Sequence, residues 1–203
     1  MRRAPVLLLG LLLVAALGAG AYLWQLGDQR AAMTRVETVQ TGPVGIGGPF
    51  SLIDQNGVRR TEKDFQDTYP LVFFGFTFCP DVCPTSLALI SAAMDRLGPD
   101  AARITPILIT VDPKRDTPEV LKTYLASFGP RFVGLTGSEE EVTAAGKAYR
   151  VFHQPSAAAD GNFDHSSIIY LMDRKGEYLA HYALGTTADD MANGIKQKLN
   201  ESN

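Results

Sequence analysis

Apolar residues along the chain fall into short continuous runs that alternate with helically spaced segments. The run Leu71–Phe78 is rich in aromatic and β-branched side chains and is bounded by Pro70, which is typical of a strand buried on both faces. In the next segment apolar residues stand at positions 87, 89, 90, 93, 94 and 97, the spacing of an amphipathic helix. The pattern therefore predicts a buried strand that leads, through a turn, into a helix opened by Thr85 and Ser86.

The remainder of the chain repeats this change from strand-like to helix-like segments. Capping residues mark two helix starts, a threonine cap with a proline in the first turn at Thr117-Pro118 and a capping box at Ser138–Glu141. The other predicted elements are a hairpin over 50–58, a helical turn at 61–65, a strand at 104–111, a helix at 117–128, an extended segment at 132–135, a helix at 138–149, an extended segment at 151–153, a hairpin of strands 168–172 and 177–182, and a closing helix at 187–199. This order predicts one α/β domain, a mixed central sheet flanked by helices.

The N-terminal stretch differs from everything after it. No charged residue occurs from Ala4 to Gly27, and Val6–Trp24 is apolar enough and long enough to cross a bilayer of roughly 30 Å. Arg2 and Arg3 precede it, which predicts the N-terminus in the cytoplasm and the rest of the chain outside. A cleaved signal peptide is the alternative, since Ala19–Ala21 fits a cleavage site. Both interpretations place the domain in an exported compartment.

We favour the anchor, because the apolar run is longer than the core of a usual signal peptide. Residues 1–27 are then a membrane helix, residues 28–43 a polar and glycine-rich linker, and residues 44–203 the folded domain. The formal net charge of the chain is −3, and it becomes −5 when Arg2 and Arg3 are left out. With no basic stripe in the domain, the sequence predicts no nucleic-acid partner.

The predicted strand-to-helix turn carries the two cysteines of the chain, Cys79 and Cys83, with Pro80 and Pro84 beside them. Four residues of separation place both side chains on the same side of a helical turn, so metal binding, disulfide exchange and a structural disulfide are all geometrically open. The position of Cys83 near a helix N-terminus favours a thiolate. In an oxidising compartment such a pair forms a disulfide unless a reductant or a metal holds it.

Of the three histidines, His165 is the candidate for a third ligand. It stands in a predicted loop just before a strand, next to Asp164, whose carboxylate could accept a hydrogen bond from the imidazole. His153 and His181 are interpreted as ordinary surface or core residues. Two thiolates and one imidazole make a soft three-coordinate site suited to Cu(I). The charged residues between the cysteines and after the next strand are interpreted as cap, turn or docking residues, because carboxylates suit harder ions: Asp81, Asp112, Lys114 and Asp116.

Three motifs, in order, resemble the Sco/SenC family of copper proteins. They are Phe76–Pro84 around the cysteines, Val111–Leu121 after the second strand, and Asp164–Ser166 followed by Ile169–Asp173. The resemblance covers roughly Val44–Leu199 together with the N-terminal anchor. The alanine run at 157–159 and a histidine at position 153, where the family has an aromatic residue, are departures that touch no ligand motif.

The resemblance implies a thioredoxin-like fold in which the loop entering the histidine strand lies against the cysteine turn. It implies copper, Cu(I) or Cu(II), as the bound metal, with Cys79, Cys83 and His165 as its ligands. It also implies a part in building the CuA centre of cytochrome c oxidase subunit II. The implied partners are that subunit, a copper donor protein, a thioredoxin-type thiol reductant and the membrane. The implied location is the periplasmic face of the cytoplasmic membrane, or the mitochondrial inner membrane facing the intermembrane space in a eukaryote.

Two functions of different classes follow. The first is a metallochaperone that holds one copper ion and passes it to an acceptor by ligand exchange. The second is a thiol-disulfide oxidoreductase, in which Cys79 and Cys83 would be the redox residues and His165 merely adjacent. The C-x3-C spacing is one residue longer than the C-x2-C of thioredoxin motifs, which counts against general redox catalysis. A peroxidase that uses one thiol is a weaker third interpretation, because it does not need His165.

Overall fold

The computed structural model describes residues 45–151, 153–155, 163–165 and 167–202, and for 153–155 and 163–165 it describes the backbone. The predicted membrane anchor at residues 1–27 and the predicted linker at residues 28–43 lie outside these ranges. Within them, no helix combines the length and the apolar character needed to cross a membrane. The anchor and the domain boundaries therefore stay predictions.

Strands and helices alternate through the described residues. The strands are β1 Ser51–Asp54, β2 Arg59–Thr61, β3 Tyr69–Gly75, β4 Ile104–Thr110, β5 Val133–Thr136, β6 His153–Pro155, β7 Phe163–His165, β8 Ile168–Met172 and β9 Tyr178–Ala183. The α-helices are α1 Val82–Leu97, α2 Pro118–Leu125, α3 Glu139–Ala148 and α4 Ala188–Glu201, and two 3-10 turns cover Glu62–Phe65 and Gly98–Arg103.

Seven of these strands form one sheet in the order β2-β1-β5-β4-β3-β8-β9. Strand β4 runs parallel to both β3 and β5, while β8 is antiparallel to β3 and β9 is antiparallel to β8. The predicted mixed sheet is thereby confirmed. The order also brings four chain segments to one edge of the sheet: the ends of β3, β4 and β9 and the start of β8.

Burial in the core accounts for the continuous apolar run of β3 and for the spaced apolar positions of α1. Every residue of β3 is buried, because β4 and β8 flank it and both of its faces are covered. Helix α1 buries the stripe that the apolar spacing predicts, including Leu87, Ile90, Met94 and Leu97. Helix α4 packs against α1, and α2 packs against β5.

Several element boundaries differ from the prediction, and three of them belong to elements that adjoin the cysteine turn or the loop after β4. Strand β3 ends at Gly75, although the apolar run continues to Phe78. Helix α1 begins at Val82, so Pro84 lies within its first turn, where a missing N–H breaks no intrahelical hydrogen bond. Helix α2 ends at Leu125, and single turns carry the chain on to Phe128.

The segment around His165 also differs. The sequence predicted a loop there, but His165 ends β7, which pairs antiparallel with β6 in a separate two-stranded sheet. His165 is in register with His153 in this ladder. Strand β6 ends at Pro155, two residues beyond the extended segment predicted at 151–153.

Candidate metal centre

The two cysteines lie in the turn between β3 and α1 and in the first turn of that helix. The backbone N–H of Cys79 donates to the Phe76 carbonyl at 3.4 Å, which closes the turn after the strand. The backbone N–H of Cys83 then donates to the Cys79 sulfur, also at 3.4 Å. The two cysteines are not joined in a disulfide, and Cys79 is half-buried while Cys83 is at 0% exposure. The turn therefore places one accessible and one enclosed sulfur close together.

Gly75 is the residue that lets Cys83 approach the sheet. A Cβ at this position would lie 2.9 Å from the Cys83 sulfur and 2.8 Å from the ring of Phe73. Real Cβ contacts are longer than this, so the end of β3 has room for hydrogen alone. Sequence reasoning missed this role, because Gly75 is a single glycine in the middle of an apolar run and does not mark a turn.

Burial dominates the electrostatics of Cys83. Loss of solvation raises the pKa of its thiol well above the ordinary value, and the neighbouring Cys79 and Asp116 raise it further, while a backbone hydrogen bond with Phe76 acts in the opposite direction. The expectation of a thiolate at Cys83 is therefore wrong. The helix N-terminus is present as predicted, but it does not offset the cost of charging an enclosed sulfur.

This asymmetry gives a first prediction. We expect iodoacetamide to alkylate Cys79 well before Cys83 in the reduced, folded protein at pH 7–8, because alkylation requires an accessible thiolate. Mass spectrometry of peptides after timed quenching measures the two rates separately. Unfolding in guanidinium chloride is the control, and there the two rates should converge. Equal rates in the folded state would contradict the enclosed position of Cys83.

The backbone of His165, the third predicted ligand, leads to the same edge of the sheet. Strand β7, which ends at His165, immediately precedes β8, and β8 begins beside the end of β3, with Ile169 opposite Phe73. The side chain of His165 is not among those described. Among the described side chains, to which that of His165 does not belong, no three or more His, Cys, Asp or Glu residues are grouped so that they could hold a metal ion. Coordination by all three residues stays a prediction.

Of the three histidines, His181 is the one whose side chain is described. His181 lies on β9, where it is exposed, and its Nδ1 is 2.5 Å from the hydroxyl of Tyr178. Its interpretation as an ordinary surface residue is consistent with this position. His153 lies on β6, and its side chain is outside the described set.

The loop after β4 carries three of the four charged residues that were interpreted as cap, turn or docking residues. Asp112 is buried and forms an ion pair with Arg115, and exposed Lys114 is 2.5 Å from Glu139 at the start of α3. Asp116 is also buried, and it accepts hydrogen bonds from the cysteine turn rather than from a cation. Burial raises its pKa, and the hydrogen bonds partly offset that effect. No sequence signal indicates that Asp116 reaches the turn, since the contact depends on strand register.

Two large apolar side chains are exposed at the end of the sheet that carries the cysteine turn. Phe78, the residue before Cys79, is 57% exposed, and the guanidinium of Arg115 lies over its ring at 4.5 Å. Leu184, which follows β9, is 59% exposed at the same edge and lines a cavity with Thr85, Leu89 and Ile169. Exposed apolar side chains around a reactive pair are typical of a surface that contacts another protein.

Comparison with known proteins places these features in a family. The SCO1/SenC family model matches residues 38–200. An SCO2-like protein of Rickettsia prowazekii is 38% identical over 190 residues, which are 92% of this chain and 93% of that protein. The crystal structure of Arabidopsis thaliana ScoI with copper bound superposes with a TM-score of 0.72 at 36% identity, covering 77% of this chain and 99% of the other.

A second copper-bound structure agrees. Bradyrhizobium japonicum ScoI with copper bound is 44% identical to this chain, with a TM-score of 0.69 and coverage of 75% of this chain and 99% of the other. The family match spans the cysteine turn, the loop after β4 and the strand that ends at His165. On these grounds the chain belongs to the SCO1/SenC family.

Proposed function

We propose that this protein binds one copper ion through Cys79, Cys83 and His165 and delivers it to the CuA centre of cytochrome c oxidase subunit II. The observation that carries the proposal is the pair of unbridged sulfurs, one in the turn between β3 and α1 and one in the first turn of α1, at the edge where β7 leads into β8. Thiolate and imidazole are ligands that suit Cu(I). Related ScoI proteins of two organisms hold copper in their solved structures.

The two sulfurs suit temporary binding. Cys83 is enclosed and fixed in the first turn of α1, while Cys79 is half-buried and borders the surface. An incoming acceptor thiolate could reach copper from the Cys79 side and replace one ligand at a time. Each protein thiol gives up its proton when copper binds and takes a proton back when the ion leaves.

Anaerobic titration of the reduced full-length protein with Cu(I), followed by X-ray absorption at the copper edge, tests the proposal. We expect one copper per chain with two sulfur ligands and at least one nitrogen ligand. Absence of stoichiometric copper, in a protein whose two thiols are shown to be reduced, would contradict the proposal.

The same proposal includes the location and the partners. We propose a single N-terminal membrane helix over residues 1–27, with the domain on the periplasmic face, or in the mitochondrial intermembrane space in a eukaryotic cell. There a copper donor protein would load the site, and a thioredoxin-type reductant would keep Cys79 and Cys83 reduced. The long apolar run behind Arg2 and Arg3 supports this arrangement.

Docking of the acceptor gives a second prediction. Four large apolar side chains are exposed in the described residues. Three lie at the cysteine edge: Phe78 after β3, Val120 in the first turn of α2 and Leu184 after β9. The fourth, Val58, lies in the β1–β2 turn at the opposite edge. We expect Leu184→Ser to slow copper transfer to a soluble subunit II domain by roughly fivefold, the effect of losing about 1 kcal/mol of contact energy.

Val58→Ser is the matched control, because it removes a comparably exposed apolar side chain, 47% against 59% exposed, from the other edge. Stopped-flow absorbance of the receiving copper centre measures the rates, and copper affinity should be equal in all three proteins. Equal transfer rates for the two variants would place the docking surface elsewhere.

A thiol-disulfide oxidoreductase is the second candidate, and the unequal exposure of the two sulfurs favours it. An accessible Cys79 could attack a disulfide of subunit II, and the enclosed Cys83 could then resolve the mixed disulfide. In this reaction the two thiols lose two electrons and two protons to the acceptor disulfide. Reductase activity that is unchanged in a His165→Ala protein would favour this function over copper delivery.

A further inference from the structure

Asp116 is a carboxylate that lies at 0% exposure in the loop after β4. None of the ion pairs in the described part of the chain includes it. A buried carboxylate is costly unless hydrogen-bond donors surround it, so its partners identify what it does in the fold.

Three donors reach the Asp116 carboxylate, and they come from two different segments. From the cysteine turn, the backbone N–H of Thr77 donates to Oδ2 at 3.1 Å, and the Thr77 hydroxyl donates to Oδ1 at 2.5 Å. From the end of β4, the hydroxyl of Thr110 donates to Oδ2 at 2.6 Å. That hydroxyl also accepts from the backbone N–H of Asp112 at 2.9 Å, which orients its proton toward Asp116.

These bonds tie the cysteine turn to the sheet. Thr77 stands two residues before Cys79, beyond the end of β3, and Thr110 is the last residue of β4, in register with Gly75. The hydrogen bonds that the Cys79 N–H and the Cys83 N–H make within the turn, to the Phe76 carbonyl and the Cys79 sulfur, are both longer, at 3.4 Å. The Asp116 carboxylate therefore supplies the shorter contacts that fix the backbone leading to Cys79.

We propose that Asp116 is a positioning residue, which acts through Thr77 to hold Cys79 beside Cys83. Holding one sulfur next to the other raises the effective concentration of the pair, both for closing a disulfide and for sharing a soft metal ion. The inference rests on the proposed function in one respect, that Cys79 and Cys83 are the working pair. It does not depend on whether copper delivery or thiol reduction is their use.

Equilibration of the full-length protein with glutathione tests this role without copper. The Cys79 and Cys83 thiols lose two electrons and two protons to form one S–S bond, and one glutathione disulfide is reduced to two glutathione thiols. The equilibrium constant gives the effective concentration of the pair. We expect it to fall about tenfold in Asp116→Asn and in Thr110→Val, in line with the effect of removing an outer support from a site. A tenfold change equals roughly 30 mV for this two-electron couple.

Thr105→Val is the matched control. Thr105 lies on the same strand as Thr110, at the opposite end, and its hydroxyl is 2.6 Å from the hydroxyl of Thr68. Thr105→Val removes one hydroxyl contact of β4 and Thr110→Val removes two, so thermal unfolding of both reduced proteins should show a loss, with the larger one in Thr110→Val. The glutathione equilibrium constant of Thr105→Val should stay within about twofold of the wild-type value. That change is small beside the one expected when a residue that orients the site from outside is removed.

A Thr110→Val equilibrium equal to that of Thr105→Val would overturn the proposal, whether both stay at the wild-type value or both shift. Should Asp116→Asn fail to fold, Thr110→Val decides alone. Copper titration of the wild-type protein is scored separately. A wild-type chain that binds no copper would contradict the proposed function, while the ranking of the variants in glutathione would still decide the role of Asp116.

Discussion

Replacing His165 with alanine is expected to weaken Cu(I) binding by more than the roughly 10–100-fold that loss of an outer-shell partner costs. Replacing Cys79 or Cys83 with alanine should abolish stoichiometric binding, because a single thiolate and one imidazole leave a two-coordinate site open to competing thiols. Competition against a chromophoric Cu(I) chelator under anaerobic conditions measures all three affinities. X-ray absorption should show loss of the nitrogen ligand in His165→Ala and loss of one sulfur ligand in each cysteine variant.

His181→Ala is the matched control for this series. It removes an imidazole that is exposed on β9 and bonded to Tyr178, without touching the cysteine turn or the β7–β8 connection. Its copper affinity should equal that of the wild type. Full copper retention in His165→Ala would remove the three-ligand hypothesis and leave a two-sulfur site, in which case the oxidoreductase function gains support.

Local signals account for the elements that the sequence predicted well. The strand Ile168–Met172 has the predicted bounds, and Ser138 forms the predicted capping box with Glu141, because both depend on residues close together in the chain. The failure at the end of β3 has a tertiary cause. Phe76 is buried and extends the apolar run, but the next residue, Thr77, is bonded to Asp116 instead of to a neighbouring strand.

In the candidate site, too, some features could be predicted from local sequence and others depend on tertiary packing. Residue types and spacing identified Cys79, Cys83 and His165, and the resemblance to a family assigned them a metal. The enclosure of Cys83 reversed the expected shift of its pKa, since desolvation depends on how α1 packs against β3. Asp116 was interpreted as a cap, turn or docking residue. Its contact with Thr77 was missed, because that contact follows from the register of Gly75 with Thr110. Such register is a property of the folded sheet.

The contact between Gly75 and Cys83 leads to the largest stability effect that we expect. In Gly75→Ala the new methyl group would lie 2.8 Å from the Phe73 ring and 2.9 Å from the Cys83 sulfur. Both side chains are at 0% exposure and cannot move into solvent. Overpacking of this kind lowers the free energy of unfolding by about 1–3 kcal/mol, out of a total of roughly 5–15 kcal/mol for a domain. Chemical denaturation of the reduced protein, followed by circular dichroism, measures the loss.

Gly75→Ala should also disturb the site, and that separates it from an ordinary core mutation. The backbone of β3 is held on both sides by β4 and β8, so relief of the clash falls on the first turn of α1 and moves the Cys83 sulfur. We therefore expect weaker Cu(I) binding together with lower stability. Gly45→Ala is the control, because its new Cβ would meet Arg150 at an ordinary 3.7 Å, and both quantities should stay at wild-type values. Lower stability with unchanged copper affinity would show that Cys83 keeps its position and that the sheet, rather than the helix, yields to the added methyl group.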